Sequence, residues 1–270
     1  MNGGGSAGGN ALADTVQILG IRVNRIDVAG VHEVIRNIVK SSGKEMILNV
    51  NIHCMNLACE LPWLKALLNK SHTVFCDGDG VRWGMRLLGQ EPPVKITYDR
   101  WMWQLAEMCE KEKISLFFLG AKPGVAESAA TRLKARFSAL KIAGTHHGYF
   151  QKNGPEAEEV IRSINKVRPD ILVLGFGMPV QELLLRDYAE RIDTHVFLTG
   201  GAVFDYVSGR AVRAPQWMIQ LHLEWFFRFL REPRRLFKRY FIGNFVFFLR
   251  VLRYGADGPK PSVPGHQDRR

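Results

Sequence analysis

The apolar positions of this chain fall into short continuous runs that end in glycine or a small polar residue, with longer stretches of helical spacing between them. Glu45–Asn51 (EMILNVN), Thr73–Cys76, Ile114–Gly120 (ISLFFLG), Ile171–Gly177 (ILVLGFG) and His195–Gly201 (HVFLTGG) predict strands. Val125–Phe137, Glu156–Val167 and Val180–Arg191 carry apolar residues at helical spacing. Strands without polar alternation, separated by helices, predict βαβ units around a parallel sheet buried on both faces. The expected class is α/β with a Rossmann-like core, in which ligands bind beyond the carboxyl ends of the strands. From Pro215 the pattern changes. Trp217, Leu221 and Trp225 repeat every fourth residue, and Pro233 interrupts before a second helical stretch, Arg234–Leu252. This predicts an α/β body over residues 14–204 and a helical appendage over 205–253.

Composition adds limits to that outline. With 270 residues, 46% of them hydrophobic, the chain can bury a sizeable core. The Gly-rich Met1–Asn10 has neither the basic nor the apolar region of a signal peptide, and a disordered N-terminus is expected over 1–13. Gly255–Arg270, rich in Gly, Pro and charge, predicts a loose tail, so residues 254–270 are expected to be flexible. Cys54, Cys59, Cys76 and Cys109 show no CxxC spacing, which predicts reduced, inert thiols. The most apolar window, Tyr240–Leu249, is far short of the ~20 residues a spanning helix needs.

Charge changes the picture more. Between Asp205 and Arg253 stand ten Lys/Arg and three acids, a net +7 of the chain's +11, interleaved with Trp217, Trp225, Phe226, Phe229, Phe237, Tyr240, Phe241 and Phe245. A basic surface alone would suit nucleic acid. Cations beside large apolar rings suit anionic headgroups above hydrocarbon, so an anionic membrane surface is the expected partner and nucleic acid is not. An enzyme-like body with a membrane-seeking end implies a lipid-attached substrate.

Several turns could carry chemistry. In Phe75–Gly84 (FCDGDGVRWG) a short strand delivers Asp77 into a turn on Gly78 and Gly80. Three readings stay open there: a general base on a sugar hydroxyl, a DxD metal pair with Asp79, or an Asx-type turn capping the next helix. Gly120–Gly124, with Lys122, follows a strand and opens a helix. It can offer N–H groups to a diphosphate, or be an ordinary βα turn. Gly175–Glu182 resembles GxGxxG but has Val180 at the third glycine, and the next strand ends in Gly rather than the acid a dinucleotide ribose requires. Gln181 and Glu182, in the first helical turn, can hydrogen-bond a sugar or a base. Asn49, Asn51 and His53 share a face if the strand continues through them; the alternative is Asx turns that end it. His146 and His147 are adjacent and point apart, a poor metal pair.

In this order the motifs resemble the WecG/TagA/CpsF glycosyltransferase family (family 26). The matching segments are NVNIHCMNLA at Asn49–Ala58, CDGDGV at Cys76–Val81, FFLGAKPGVAE at Phe117–Glu127 and GTHHGYF at Gly144–Phe150. They continue with PDILVLGFGMPVQE at Pro169–Glu182, GGAVFDYVSGRAVRAPQWM at Gly200–Met218 and LEWFFRFLREPRRLFKRY at Leu223–Tyr240. The resemblance implies an inverting, metal-independent transfer from a UDP-sugar to an undecaprenyl-diphosphate-linked acceptor at the cytoplasmic membrane face. No cofactor or metal is then expected, and self-association is left open. It implies that Asp77 is the base and that Asn51, Gln181 and Glu182 line the substrate pocket, to which the strand-end and turn readings above add Asn49, His53, Lys122 and Gly124. Through the family's basic appendage Arg228, Arg235 and Lys238 would face the diphosphate and the membrane, and the charge pattern adds Arg231. Members acting on N-acetylmannosamine usually carry Thr where this chain has Asn49 and Pro-Glu where it has His53, and ITYDR at Ile96–Arg100 is shorter than the usual T-G-x-D run. These departures look more like exopolysaccharide (xanthan-type) β-glucosyltransferases. They lead to an expected hexosyl donor, UDP-glucose first, with N-acetylmannosaminyl transfer as the alternative.

Overall fold

The computed structural model describes residues 14–212, 214, 215, 217, 218 and 224–259, without the side chains of Glu224, Trp225, Arg228 and Arg235. The loose ends expected at 1–13 and beyond 259, and Leu221 of the four-residue repeat, lie outside the described residues. The chain opens with a hairpin, β1 (Thr15–Ile18) and β2 (Ile21–Asn24), followed by α1 (Val28–Lys40). Six parallel strands then form one sheet: β3 (Glu45–Val50), β4 (Thr73–Cys76), β5 (Leu116–Gly120), β6 (Ile142–His146), β7 (Ile171–Gly175) and β8 (Val196–Thr199). Their spatial order is β4-β3-β8-β7-β5-β6.

The connecting helices are α2 (Ile52–Glu60), α3 (Pro62–Lys70), α4 (Asp79–Leu87), α5 (Tyr98–Glu112), α6 (Val125–Arg136), α7 (Pro155–Val167), α8 (Val180–Tyr188) and α9 (Val203–Val207). They cover both faces of the sheet, which is why the strands read as continuous apolar runs. Successive residues of β5 serve opposite cores. Phe117 and Leu119 pack with α7 and α8, while Leu116 and Phe118 pack with α5 and α6. β6 was not predicted. It is an edge strand, paired only with β5 and half-buried along its length, so its sequence IAGTH lacks the apolar run that marks the others.

Beyond β3 the chain turns into α2 on one face, and beyond β8 into α9 on the other. Neighbouring strands whose connections leave to opposite faces create a crevice at their carboxyl ends. That crevice lies between β3 and β8.

The C-terminal region is helical: α10 (Glu224–Arg231), α11 (Pro233–Phe237), a π turn at Lys238–Ile242 and α12 (Gly243–Tyr254). Pro233 stands at the first position of α11, where its missing N–H costs nothing. Phe229 meets Phe241 edge-on and Phe237 stacks on it, with ring centroids 5.1 and 5.2 Å apart, forming an aromatic cluster beside exposed Arg231, Arg234 and Lys238. Within the expected appendage, Phe247 and Val251 of α12 are fully buried in the core beneath the hairpin. The first residues of the expected tail are also held, since Leu19 and Gly20 donate their N–H groups to the carbonyls of Gly255 and Ala256.

Candidate active site

The C-terminal ends of β3, β4 and β8 converge on Asp77. The Asp77 N–H donates to the Val50 carbonyl at 2.8 Å, extending the β3–β4 pairing by one residue. Gly78 then turns the chain at φ 145°, a conformation that favours glycine, and α4 begins. The half-buried Asp77 carboxylate therefore emerges at the strand end with no bulky neighbour in sequence. Asn49, buried on β3, donates from Nδ2 to Asp77 Oδ2 at 3.2 Å. Its Oδ1 accepts from Thr199 Oγ1 on β8 at 3.1 Å. One asparagine thus links three strands across the crevice and orients the carboxylate.

The expected Asn49–Asn51–His53 face does not form as a strand. β3 ends at Val50, and Asn51 caps α2 by accepting the Cys54 N–H at 3.1 Å, which leaves His53 in the first helical turn. The His53 ring still reaches the backbone of Met178 in the turn after β7, and burial together with nearby Arg239 pushes its pKa down. Asn51 and His53 therefore stay beside the crevice, by a helical route.

Gln181 and Glu182 are buried in the first turn of α8. Gln181 Oε1 accepts the Gly201 N–H at 3.1 Å, and its Nε2 donates to Glu182 Oε1 at 2.8 Å. This pair ties α8 to the loop after β8. Glu182 Oε2 is buried with no hydrogen-bond partner among the described residues, and burial raises its carboxyl pKa. Burial, and then the Glu182 charge, push the neighbouring Cys54 thiol well up; burial likewise lifts Cys76, to about 12, so these thiols are inert.

Lys122 and Gly124 are exposed on the turn after β5. That turn is close-built: Gly120 has φ 143°, and a Cβ there would lie 2.3 Å from the Gly175 carbonyl oxygen. The βα turns of β5 and β7 therefore lie side by side at the same end of the sheet as Asp77. Asp79 does not pair with Asp77 as a metal ligand. Its Oδ1 accepts from Arg82 at 3.0 Å and its Oδ2 from Lys95 at 2.6 Å, so two cations occupy the oxygens a metal would need. Among the described residues no group of three His, Cys, Asp or Glu could hold a metal ion. His146 and His147 are spent on the loop itself, on the His147 carbonyl and the Tyr149 N–H respectively.

On the C-terminal side, Arg231 lies exposed with its guanidinium 5.9 Å from the Phe227 ring, and Lys238 is exposed on the π turn. The side chains of Arg228 and Arg235 lie outside the described residues. Three residues that the sequence did not single out shape the site. Thr199 orients Asn49. Arg239 brings positive charge against His53 and Cys54. Tyr98 packs its ring on Phe75, with burial and the Asp77 charge raising its phenol. Their signal is tertiary, because each lies far in sequence from what it touches.

The model of the glycosyl transferase WecG/TagA/CpsF family matches residues 16–261. An N-acetylglucosaminyldiphosphoundecaprenol N-acetyl-β-D-mannosaminyltransferase of Bacillus subtilis (strain 168) is 32% identical over 170 residues, 63% of this chain and 64% of that protein. The match thus spans just under two thirds of that relative's length. The enzyme of the same name from Bacillus spizizenii (strain ATCC 23059 / NRRL B-14472 / W23) is 30% identical over 209 residues, 77% of this chain and 79% of that protein.

Proposed function

The chain belongs to the WecG/TagA/CpsF glycosyltransferase family, and from that premise we propose that it moves a sugar, with inversion, from UDP to an undecaprenyl-diphosphate-linked acceptor. The observation that carries this reading is the Asp77 carboxylate, presented on a glycine turn at a strand end and oriented by Asn49 across the crevice. Asp77 takes the proton of the acceptor hydroxyl. The acceptor oxygen then bonds to the anomeric carbon as the bond to the UDP oxygen breaks, and the electron pair leaves with the diphosphate. One displacement inverts the anomeric centre, so an α-linked donor yields a β-linked product. The turn at Gly120–Gly124 with Lys122, together with Arg228, Arg231, Arg235 and Lys238, supplies donors and positive charge to the departing diphosphate. Asn51, His53, Gln181 and Glu182 border the sugar.

For the donor, N-acetylmannosamine is favoured over the glucose expected from the sequence, because both relatives carry N-acetylmannosaminyl transfer in their names. UDP-glucose remains a second reading on one observation. Asn49 spends its amide on Asp77 and Thr199, where the N-acetylmannosamine members usually have Thr. The base and the residues that border the sugar lie within residues 14–204, and membrane contact is assigned to 205–253, at the cytoplasmic face of the inner membrane. No helix among the described residues is long and apolar enough to cross a membrane, which fits peripheral attachment.

The test is a donor screen with polyprenyl-diphosphate-linked N-acetylglucosamine in vesicles, the lipid product being identified by mass and by anomeric NMR couplings. A β-linked N-acetylmannosaminyl product is expected. A higher kcat/KM with UDP-glucose would move the donor assignment to glucose, and an α-linked product would overturn the single-displacement mechanism.

A further inference from the structure

α4 leaves the Asp77 turn with Val81, Gly84 and Met85 buried beneath it. Gly84 has a packing reason: a Cβ there would lie 2.8 Å from Cζ of Phe247, so α4 and α12 are locked against each other. Both helices turn large apolar side chains outward. α4 turns Trp83 and Leu87 outward, one turn apart, 46% and 57% exposed. α12 turns Phe245, Leu249 and Leu252 outward, away from the buried Phe247 and Val251; Phe245 is 65% and Leu252 69% exposed. Scattered apolar side chains on a surface need no explanation, but an uncovered apolar stripe on each of two helices packed together is the pattern of an interaction surface.

Charge indicates the occupant. Arg86 is exposed between Trp83 and Leu87 on α4, and Arg253 is exposed beside Leu252 on α12. Glu91, in the loop after α4, is the nearest exposed acid in sequence to the α4 stripe. Trp and Leu on a helix that also carries Arg suit the boundary between anionic headgroups and acyl chains.

We infer that α4 of the α/β body, through Trp83 and Leu87, forms part of the membrane-contacting face, so that the bilayer is met jointly by α4 and α12. The inference rests on the reading of this protein as a peripheral membrane transferase. It adds a contact outside the C-terminal helices and gives that contact a purpose. α4 starts two residues after Asp77, so seating α4 on the bilayer fixes the depth of the Asp77 turn relative to the headgroups, where a lipid-linked diphosphate lies.

The experiment uses the full chain and vesicles of phosphatidylethanolamine and phosphatidylglycerol, with and without brominated acyl chains. Three proteins are compared by co-sedimentation: wild type, Trp83→Ser/Leu87→Ser, and Phe245→Ser/Leu249→Ser, each checked for native near-UV circular dichroism. The fluorescence difference between wild type and Trp83→Phe isolates Trp83. Both double variants are expected to partition roughly tenfold more weakly, and brominated lipid should quench the Trp83 signal. If Trp83→Ser/Leu87→Ser partitions like wild type and Trp83 is not quenched, while Phe245→Ser/Leu249→Ser is released, the α4 contact is overturned and membrane attachment by the C-terminal helices stands. If wild type itself ignores the vesicles, both the α4 contact and the peripheral-membrane reading fall. If the α4 variant differs only by losing a dimer in sedimentation velocity, the patch is an interface between copies and the inference fails.

Discussion

At the scale of single residues, the candidate site depends on what holds a carboxylate in place. The turn that carries Asp77 was legible in the sequence because its signal is local: a strand, an acid, and a glycine turn with φ 145°. Replacing Asp77 with Asn keeps the shape and the Asn49 contact but removes the proton acceptor, so turnover should fall about 10²–10⁴-fold. Donor binding, followed by titration with the UDP-sugar, should be retained; near-wild-type turnover would exclude Asp77 as the base. A second residue-scale prediction concerns stability. His32 is buried on α1 and accepts the Trp101 Nε1–H at 2.9 Å; burial, and then Arg36, lower its pKa to about 4. The unfolded chain, with an ordinary histidine pKa near ~6.5, binds more protons between those two values. Stability is therefore whole above the ordinary value and declines as pH falls toward about 4. His32→Gln keeps an acceptor for Trp101 but cannot titrate. Urea midpoints at pH 7.5 and pH 5 should converge in this variant relative to wild type, and an unchanged pH dependence would remove His32 as its source.

At the scale of elements, the informative contact is α12 on α2. Arg250 donates from Nη1 to the carbonyl and the side chain of Asn56, at 2.9 and 3.1 Å, and from Nη2 to Glu60 at 2.7 Å. Asn56 in turn donates to the Gly243 carbonyl at 2.7 Å, pinning the start of α12. Glu60 is mostly exposed, so its ion pair is screened and contributes under about 1 kcal/mol. The part-buried bonds to Asn56 contribute more. Arg250→Ala should cost about 1–3 kcal/mol and speed amide exchange across Gly243–Tyr254, whereas Glu60→Gln should change both little. Equal effects from the two variants would reverse that ranking. The repeat of apolar residues predicted helix here correctly. It could not tell which face is buried, because α12 is apolar on nearly all sides and only its neighbours choose Phe247 and Val251 for the interior.

At the scale of the whole molecule, α12 and the α/β body share one core. Phe247 packs with the β1–β2 hairpin and with α4, and residues 255–258 close on the hairpin turn. Phe247→Ala should therefore destabilise the entire protein by about 3–5 kcal/mol, read as a lower urea midpoint in one cooperative transition. A separate early transition confined to the C-terminus would show instead that α12 folds independently of the body. The sequence by itself determined the parallel sheet, because strands buried on both faces must be apolar throughout. It also determined the turns at Asp77 and Gly120, where glycine conformation is a local property, and the resemblance that the match over residues 16–261 makes a family membership. Only the tertiary structure decided what crosses between elements. Asn51 became a helix cap rather than a strand residue, and Asn49 joined Asp77 to Thr199. Asp79 was taken up by Arg82 and Lys95, and α4 came to lie beside α12. Periodicity reports which side of an element meets apolar surroundings, but the partner it meets there is set by how distant segments pack.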